Sequence, residues 1–190
     1  MYVNYSFGKN NISQNKELFE LVSNNLKDIS RGGARVTDFN FHKRGYSLVE
    51  NLTNAIMNIV PLAVYNITTQ KESLNLQSVL ERNKNNPHPF GGGEDGFDLT
   101  AFKISECWGV VYDNNDSLME HNHFPYALSF CYYVNVPDNS SSLIIEDEEV
   151  IVSNGTIVIF PGYKNHSVLP NNSNGRCCIV GNLTYMSITE

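Results

Sequence analysis

Apolar positions recur at helical spacing through the first third of the chain and give way to short β-rich runs after Phe97. From Ser13 to Ile29, the residues Leu18, Phe19, Leu21, Val22, Leu26 and Ile29 repeat every three or four positions, as one face of an amphipathic helix does. Ser13 is placed to cap that helix, and Arg31-Gly32-Gly33 to close it. A second helix is predicted from Ser47 to Ile59, with Leu48, Leu52, Ile56 and Ile59 on one face. Pro61 ends or restarts it, because proline lacks the N–H that a helix interior needs. A weaker helical signal covers Ser73 to Arg82. Asn83 to Gly96, with Pro87, Pro89 and Gly91-Gly92-Gly93, reads as a loop: either a lid over a site or a plain connector.

The second half has another texture. Seven short runs follow one another: Thr100–Tyr112, Ala127–Val136, Leu143–Glu146, Glu149–Val152, Thr156–Phe160, Ser167–Leu169 and Arg176–Thr184. Turn compositions separate them, such as Asp113-Asn114-Asn115-Asp116, Pro137-Asp138-Asn139-Ser140 and Ser153-Asn154-Gly155. Seven or eight strands at this spacing predict a sandwich, jelly roll or barrel. The fold class is therefore mostly β with flanking helices. Residues 1–96 form a helix-rich support and loop, 97–190 form the β core, and both belong to a single domain.

Composition narrows the function. The chain has 190 residues, 41% of them hydrophobic and 17% charged, which excludes disordered and collagen-like classes. A net charge of −7 argues against nucleic acid as a partner, which calls for a basic footprint. Cys107, Cys131, Cys177 and Cys178 form no C-x-x-C pair, so reduced thiols are expected rather than a disulfide framework or a zinc knuckle. No signal peptide or membrane-spanning run is read, and a cytoplasmic location is expected. The 26 asparagines include sequons such as Asn51-Leu52-Thr53, better explained by turn usage than by glycosylation.

The candidate chemistry lies in three histidines. His121-Asn122-His123 puts two imidazoles at i and i+2, which share a face in an extended strand. His166 follows a further run and the bend Pro161-Gly162-Tyr163-Lys164. A meander returning there closes a set of three ligands with positions left open, as non-haem iron oxygenases require. Taken alone, a histidine pair at this spacing is more often an ordinary surface feature.

The blocks HNHFPYALSFCYYVNVP (His121 to Pro137), NGTIVIFPGYKNHSVLP (Asn154 to Pro170) and GRCCIVGN (Gly175 to Asn182) go further. In order and spacing, the segment from Trp108 to Leu183 resembles the jelly roll of the 2-oxoglutarate and Fe(II)-dependent oxygenases, nearest to the small His-x-His oxygenases of phages and marine bacteria. The resemblance implies a double-stranded β-helix holding Fe(II) through His121, His123 and His166. It also implies 2-oxoglutarate as cosubstrate, O2 as oxidant, and hydroxylation of a small molecule or protein side chain with release of succinate and CO2. Arg176, ten residues after His166, is implied as the cation for the far carboxylate of 2-oxoglutarate, since a guanidinium matches a carboxylate and keeps its charge. Tyr132 or Tyr133 would add a hydroxyl there, Tyr132 being the preferred choice.

The chain also departs from the wider pattern. His123 occupies the place of a carboxylate ligand, which leaves the dication uncompensated and lets imidazole-loving metals compete. Cys178 stands where many relatives carry serine. Glu120 is expected to point away from the pair. His42 and His88 are read as surface residues, and Trp108, Phe124, Tyr126 and Phe130 as core or cavity wall. Two alternatives stay open: a cupin-like three-histidine dioxygenase that uses no 2-oxoglutarate, and a non-catalytic jelly roll. The helical half is expected to pack against one sheet and offers a face for a homodimer.

Overall fold

The computed structural model of the chain describes residues 2–7, 12–69 and 102–186. The segment read as a third helix, the glycine- and proline-rich loop and His88 lie outside the described residues.

Eight strands make the core: β4 (Phe102–Tyr112), β5 (Leu118–His121), β6 (Leu128–Asn135), β7 (Leu143–Ile145), β8 (Glu148–Val150), β9 (Thr156–Pro161), β10 (His166–Val168) and β11 (Arg176–Tyr185). They divide between two antiparallel sheets. The larger has the order β1-β9-β6-β11-β4-β3-β2, where β1 is Val3–Ser6, β2 Asp28–Ile29 and β3 Arg35–Val36; the smaller is β5-β10-β7-β8. Most successive core strands cross from one sheet to the other, which winds the chain into a double-stranded β-helix. The seven runs read from the sequence are all strands, with ends shifted by one or two residues.

Two helices, α1 (Ile12–Ser23) and α2 (Ser47–Thr69), cover the outer face of the large sheet. Strand β6 is consequently buried on both sides from Leu128 to Val134, and reads as a continuous apolar run rather than an alternation. Alternation still decides where each side chain goes. Phe130, Tyr132 and Val134 join Val22, Ile56 and Ala63 beneath the helices. Cys131 and Tyr133 join Leu143, Ile145 and Val168 between the sheets. Gly109 sets the approach of α1, because a Cβ there would lie 2.6 Å from Val22 Cγ1.

Both helices differ from expectation at their C-terminal ends. The first stops at Ser23 rather than Ile29, and Ser13 lies inside its first turn instead of capping it. Beyond it, Lys27 N donates to Val36 O at 2.8 Å, and Ser30 to Gly33 make a tight turn with Gly33 at φ +95°. Hairpin pairing thus captures Asp28 and Ile29, and Ile29 ends 74% exposed. The second helix runs through Pro61 to Thr69. Proline in a helix costs about 3 kcal/mol. Burial of Ile56, Ile59 and Val60 before it and of Leu62, Ala63 and Val64 after it offsets that, at roughly 1.5–3 kcal/mol for each large apolar side chain. Among the described residues, no helix is long and apolar enough to cross a membrane.

Candidate metal centre

Strand pairing in the smaller sheet brings two of the histidines together. His121 ends β5, His166 begins β10, and the two are direct cross-strand partners. His123 lies beyond the strand, in a bend held by its own N–H, which donates to Gly162 O at 2.7 Å, and by Tyr126 N–H, which donates to His123 O at 2.9 Å. The convergence therefore comes from a turn and not from strand parity. One potential ligand atom from each of the three rings lies within 4.8 Å of the others, and the ring centroids are 4.3–4.9 Å apart. Glu120 is not part of this group.

The rings are electrically suited to a cation. Burial, and then the positive field of His121, lower His123 to about 4 and His166 to about 3. Glu106 pulls His123 slightly the other way. Both rings are therefore neutral at neutral pH, the state in which imidazole binds metal. His121 Nδ1 faces Met119 O at 2.8 Å and His166 Nδ1 faces Lys164 O at 3.2 Å. A carbonyl demands a proton on Nδ1, so both rings keep their Nε2 lone pairs for an ion. His123 differs: its Nδ1 lies 3.5 Å from Asn182 Nδ2, an amide donor. Its Nδ1 is thus the acceptor, and binding an ion through Nε2 requires the ring to exchange tautomer.

A cavity of about 620 Å³ opens between the sheets, lined by His121, His123, His166 and Arg176. Arg176 is the first residue of β11, opposite Tyr112 on β4. It is 1% exposed, and its guanidinium lies 4.7 Å from the Tyr112 ring centroid and 5.3 Å from that of Tyr133. Among the described residues no carboxylate pairs with it, and its Nε has no hydrogen-bond partner. A buried cation left this way is expensive unless an anion completes it.

Tyr132, expected beside Arg176, stands on the other face. Its hydroxyl donates to Asn15 Oδ1 at 2.7 Å, under the helices. Tyr133 holds the position near Arg176. Its buried hydroxyl has the Cys131 thiol beside it, a weak partner, and makes no hydrogen bond that satisfies it. Tyr112, which the sequence reading did not single out, lines the cavity itself. Cys178 lies on this face too, next to Cys131. Burial pushes the Cys178 thiol up, but the Cys131 contact and the Arg176 charge outweigh it and the net direction is down.

The opposite end of the cavity holds a polar group that the sequence reading also missed. Glu106, Ser129 and Asn182 line it near His123, with Trp108 6.1 Å from that ring and 4.8 Å from Phe39. Trp108 and Phe130 do form cavity wall. Phe124 does not: it is 78% exposed, carried outward by the bend that holds His123. His42 sits in the 3-10 helix Phe41–Lys43, away from the cavity lining.

No family model matches the chain, and no curated protein does. Solved structures do. A prolyl-4-hydroxylase of Pseudomonas putida superposes with a TM-score of 0.60 at 16% identity, over 97% of this chain and 92% of that one. A viral collagen prolyl hydroxylase from Paramecium Bursaria Chlorella virus-1, solved with 2-oxoglutarate, gives 0.60 at 9% identity over 98% and 96%. The epimerase SnoN of nogalamycin biosynthesis, solved with Fe3+ and α-ketoglutarate, gives 0.64 at 12% identity over 97% and 81%. In its described residues, this chain has the jelly-roll fold of the 2-oxoglutarate and Fe(II)-dependent oxygenases.

Proposed function

We propose that the protein is a 2-oxoglutarate-dependent non-haem Fe(II) oxygenase. His121, His123 and His166 would hold the iron and Arg176 the far carboxylate of 2-oxoglutarate. The observation that carries this reading is the buried guanidinium, without a carboxylate partner among the described residues, facing the same cavity as three convergent imidazoles. A three-histidine dioxygenase without an oxo-acid has no use for that charge, and a structural jelly roll would be more stable without it.

When bound, iron with 2-oxoglutarate and O2 supplies the oxidising power: 2-oxoglutarate, O2 and a substrate C–H become succinate, CO2 and a C–OH. The chain's own part is geometric and electrostatic. Backbone carbonyls hold the His121 and His166 tautomers. Arg176 would hold the far carboxylate of the cosubstrate by charge-assisted hydrogen bonds. Tyr112, Tyr133 and Cys178 shape the pocket around it. Trp108 and Phe39 line the other side, where a substrate would lie. Proteins of this fold include one solved with a hypoxia inducible factor peptide and one solved with a nogalamycin-type small molecule. We extend both substrate classes, protein side chain and small molecule, to this chain.

Anaerobic titration with Fe(II) and then 2-oxoglutarate tests the assignment. The expected result is the weak visible charge-transfer band of the chelate, lost in Arg176→Ala. If the native protein takes up Fe(II) yet never develops the band, the cosubstrate assignment fails.

A further inference from the structure

Three neutral imidazoles bring no negative charge to a dication, and the cavity wall beside them carries a carboxylate. Glu106 lies on β4 directly opposite Asn182 on β11. Asn182 is 1% exposed, and three contacts surround its amide. Ser129 Oγ donates to Oδ1 at 2.8 Å, Nδ2 donates to Glu106 Oε2 at 3.1 Å, and the same Nδ2 lies 3.5 Å from His123 Nδ1. This amide cannot turn over freely. The reversed orientation would set Oδ1 against the Glu106 carboxylate, acceptor against acceptor, so Glu106 selects the orientation in which an N–H reaches His123.

We propose that Glu106 is the outer carboxylate of the metal centre. It lines the cavity beside His123 and supplies to the bound dication the negative charge that the three ligands omit. The inference rests on the reading that these histidines hold a divalent metal. Glu106 stands outside the ring of potential ligand atoms, so it acts through its charge and not as a ligand. With a dication, Arg176 and the 2-oxoglutarate dianion in the cavity, the charges sum to one positive; Glu106 brings them to zero. Outer partners of metal ligands commonly contribute about 10–100-fold to metal affinity.

The role predicts opposite effects on two ligands. In Glu106→Gln the hydrogen-bonding shape is kept and the charge removed. Co(II) affinity, measured by competition and by the visible d–d spectrum, should fall about 10–100-fold. The affinity of the Co(II)-loaded protein for 2-oxoglutarate should rise, because the metal is left more positive. Glu106→Asp, which keeps the charge, should recover part of the Co(II) affinity, and thermal melting of each variant checks that it is folded. General damage to the site would weaken both ligands together and overturn the proposal. Unchanged Co(II) affinity in a folded Glu106→Gln would also overturn it, assigning the carboxylate to substrate instead. A native protein that takes up no Co(II) would remove the metal centre itself, a result distinct from either.

Discussion

Adjacent residues of β6 and β11 meet opposite surroundings on the two faces of the large sheet. Tyr132 and Cys177 lie with Ile157, Ile179 and Val22 beneath the helices. One position along each strand, Tyr133 packs against Arg176 and Cys178 lines the cavity. Beneath the helices the Tyr132 hydroxyl has a good acceptor in Asn15, and apolar contact dominates. On the cavity side the Arg176 Nε and the Tyr133 hydroxyl have no hydrogen-bond partner. The helix face is apolar and its buried tyrosine hydroxyl is paired, while the cavity face leaves polar groups without partners. Substitutions on the two faces should therefore move different observables.

The largest effect is expected at His166, the most buried of the three imidazoles. His166→Ala should weaken Fe(II) or Co(II) binding by more than about 100-fold, beyond what outer partners contribute. His123→Ala should cost less, because that ring must first exchange tautomer and is less committed to the ion; His123→Asp should retain metal binding. Equilibrium titration of the three variants gives the order, and a larger loss at His123 than at His166 would refute the tautomer argument.

Next comes Arg176, where the two observables should move in opposite directions. Arg176→Met should lower 2-oxoglutarate affinity by about 10–100-fold, as loss of a charge-assisted pair worth roughly 1.5–3 kcal/mol implies. In the metal-free protein it should raise unfolding stability by about 1 kcal/mol or more, because a buried unpaired charge is removed, less the contacts with the Tyr112 and Tyr133 rings. Urea unfolding and calorimetric titration measure the two. On the other face, Gly109→Ala should do the reverse. Its Cβ would press on the stiff, branched Val22 side chain, costing about 1–3 kcal/mol with metal affinity unchanged.

The same two faces explain what could be read from the sequence. The core strands were legible because β-rich runs end in Asn-, Asp- and Gly-rich turns, and the histidines because so few residue types ligate metal. Short strands such as β1, β2 and β3 carry too little pattern to register. Strand β5, Leu-Met-Glu-His, becomes a strand only because His166 pairs with His121. The choice between Tyr132 and Tyr133 needed the register of β6 against its neighbours, which a bulge between Cys177 and Cys178 shifts. Glu106 and Asn182 are 76 positions apart, and nothing local in either segment announces their contact. Helix α1 was overextended because Leu26 and Ile29 continue its spacing, while the hairpin that captures Asp28–Ile29 depends on distant β4 through the pairing of Val36 with Val110.

The smallest and most discriminating comparison is between the two tyrosines. Removing one hydroxyl changes little volume, so each Tyr→Phe change reports on its hydrogen bond alone. Tyr132→Phe deletes a buried bond and leaves the Asn15 oxygen without its donor, costing about 1–2 kcal/mol of stability; 2-oxoglutarate binding should not change. Tyr133→Phe deletes a buried hydroxyl that has no satisfying partner, so the ligand-free protein should be as stable as before or slightly more so. If that hydroxyl completes the carboxylate pocket beside Arg176, its loss should weaken 2-oxoglutarate about fivefold, the equivalent of one ordinary hydrogen bond. Equal 2-oxoglutarate affinities in the two variants would leave Tyr112, the cavity-lining partner of Arg176, as the tyrosine that meets the cosubstrate.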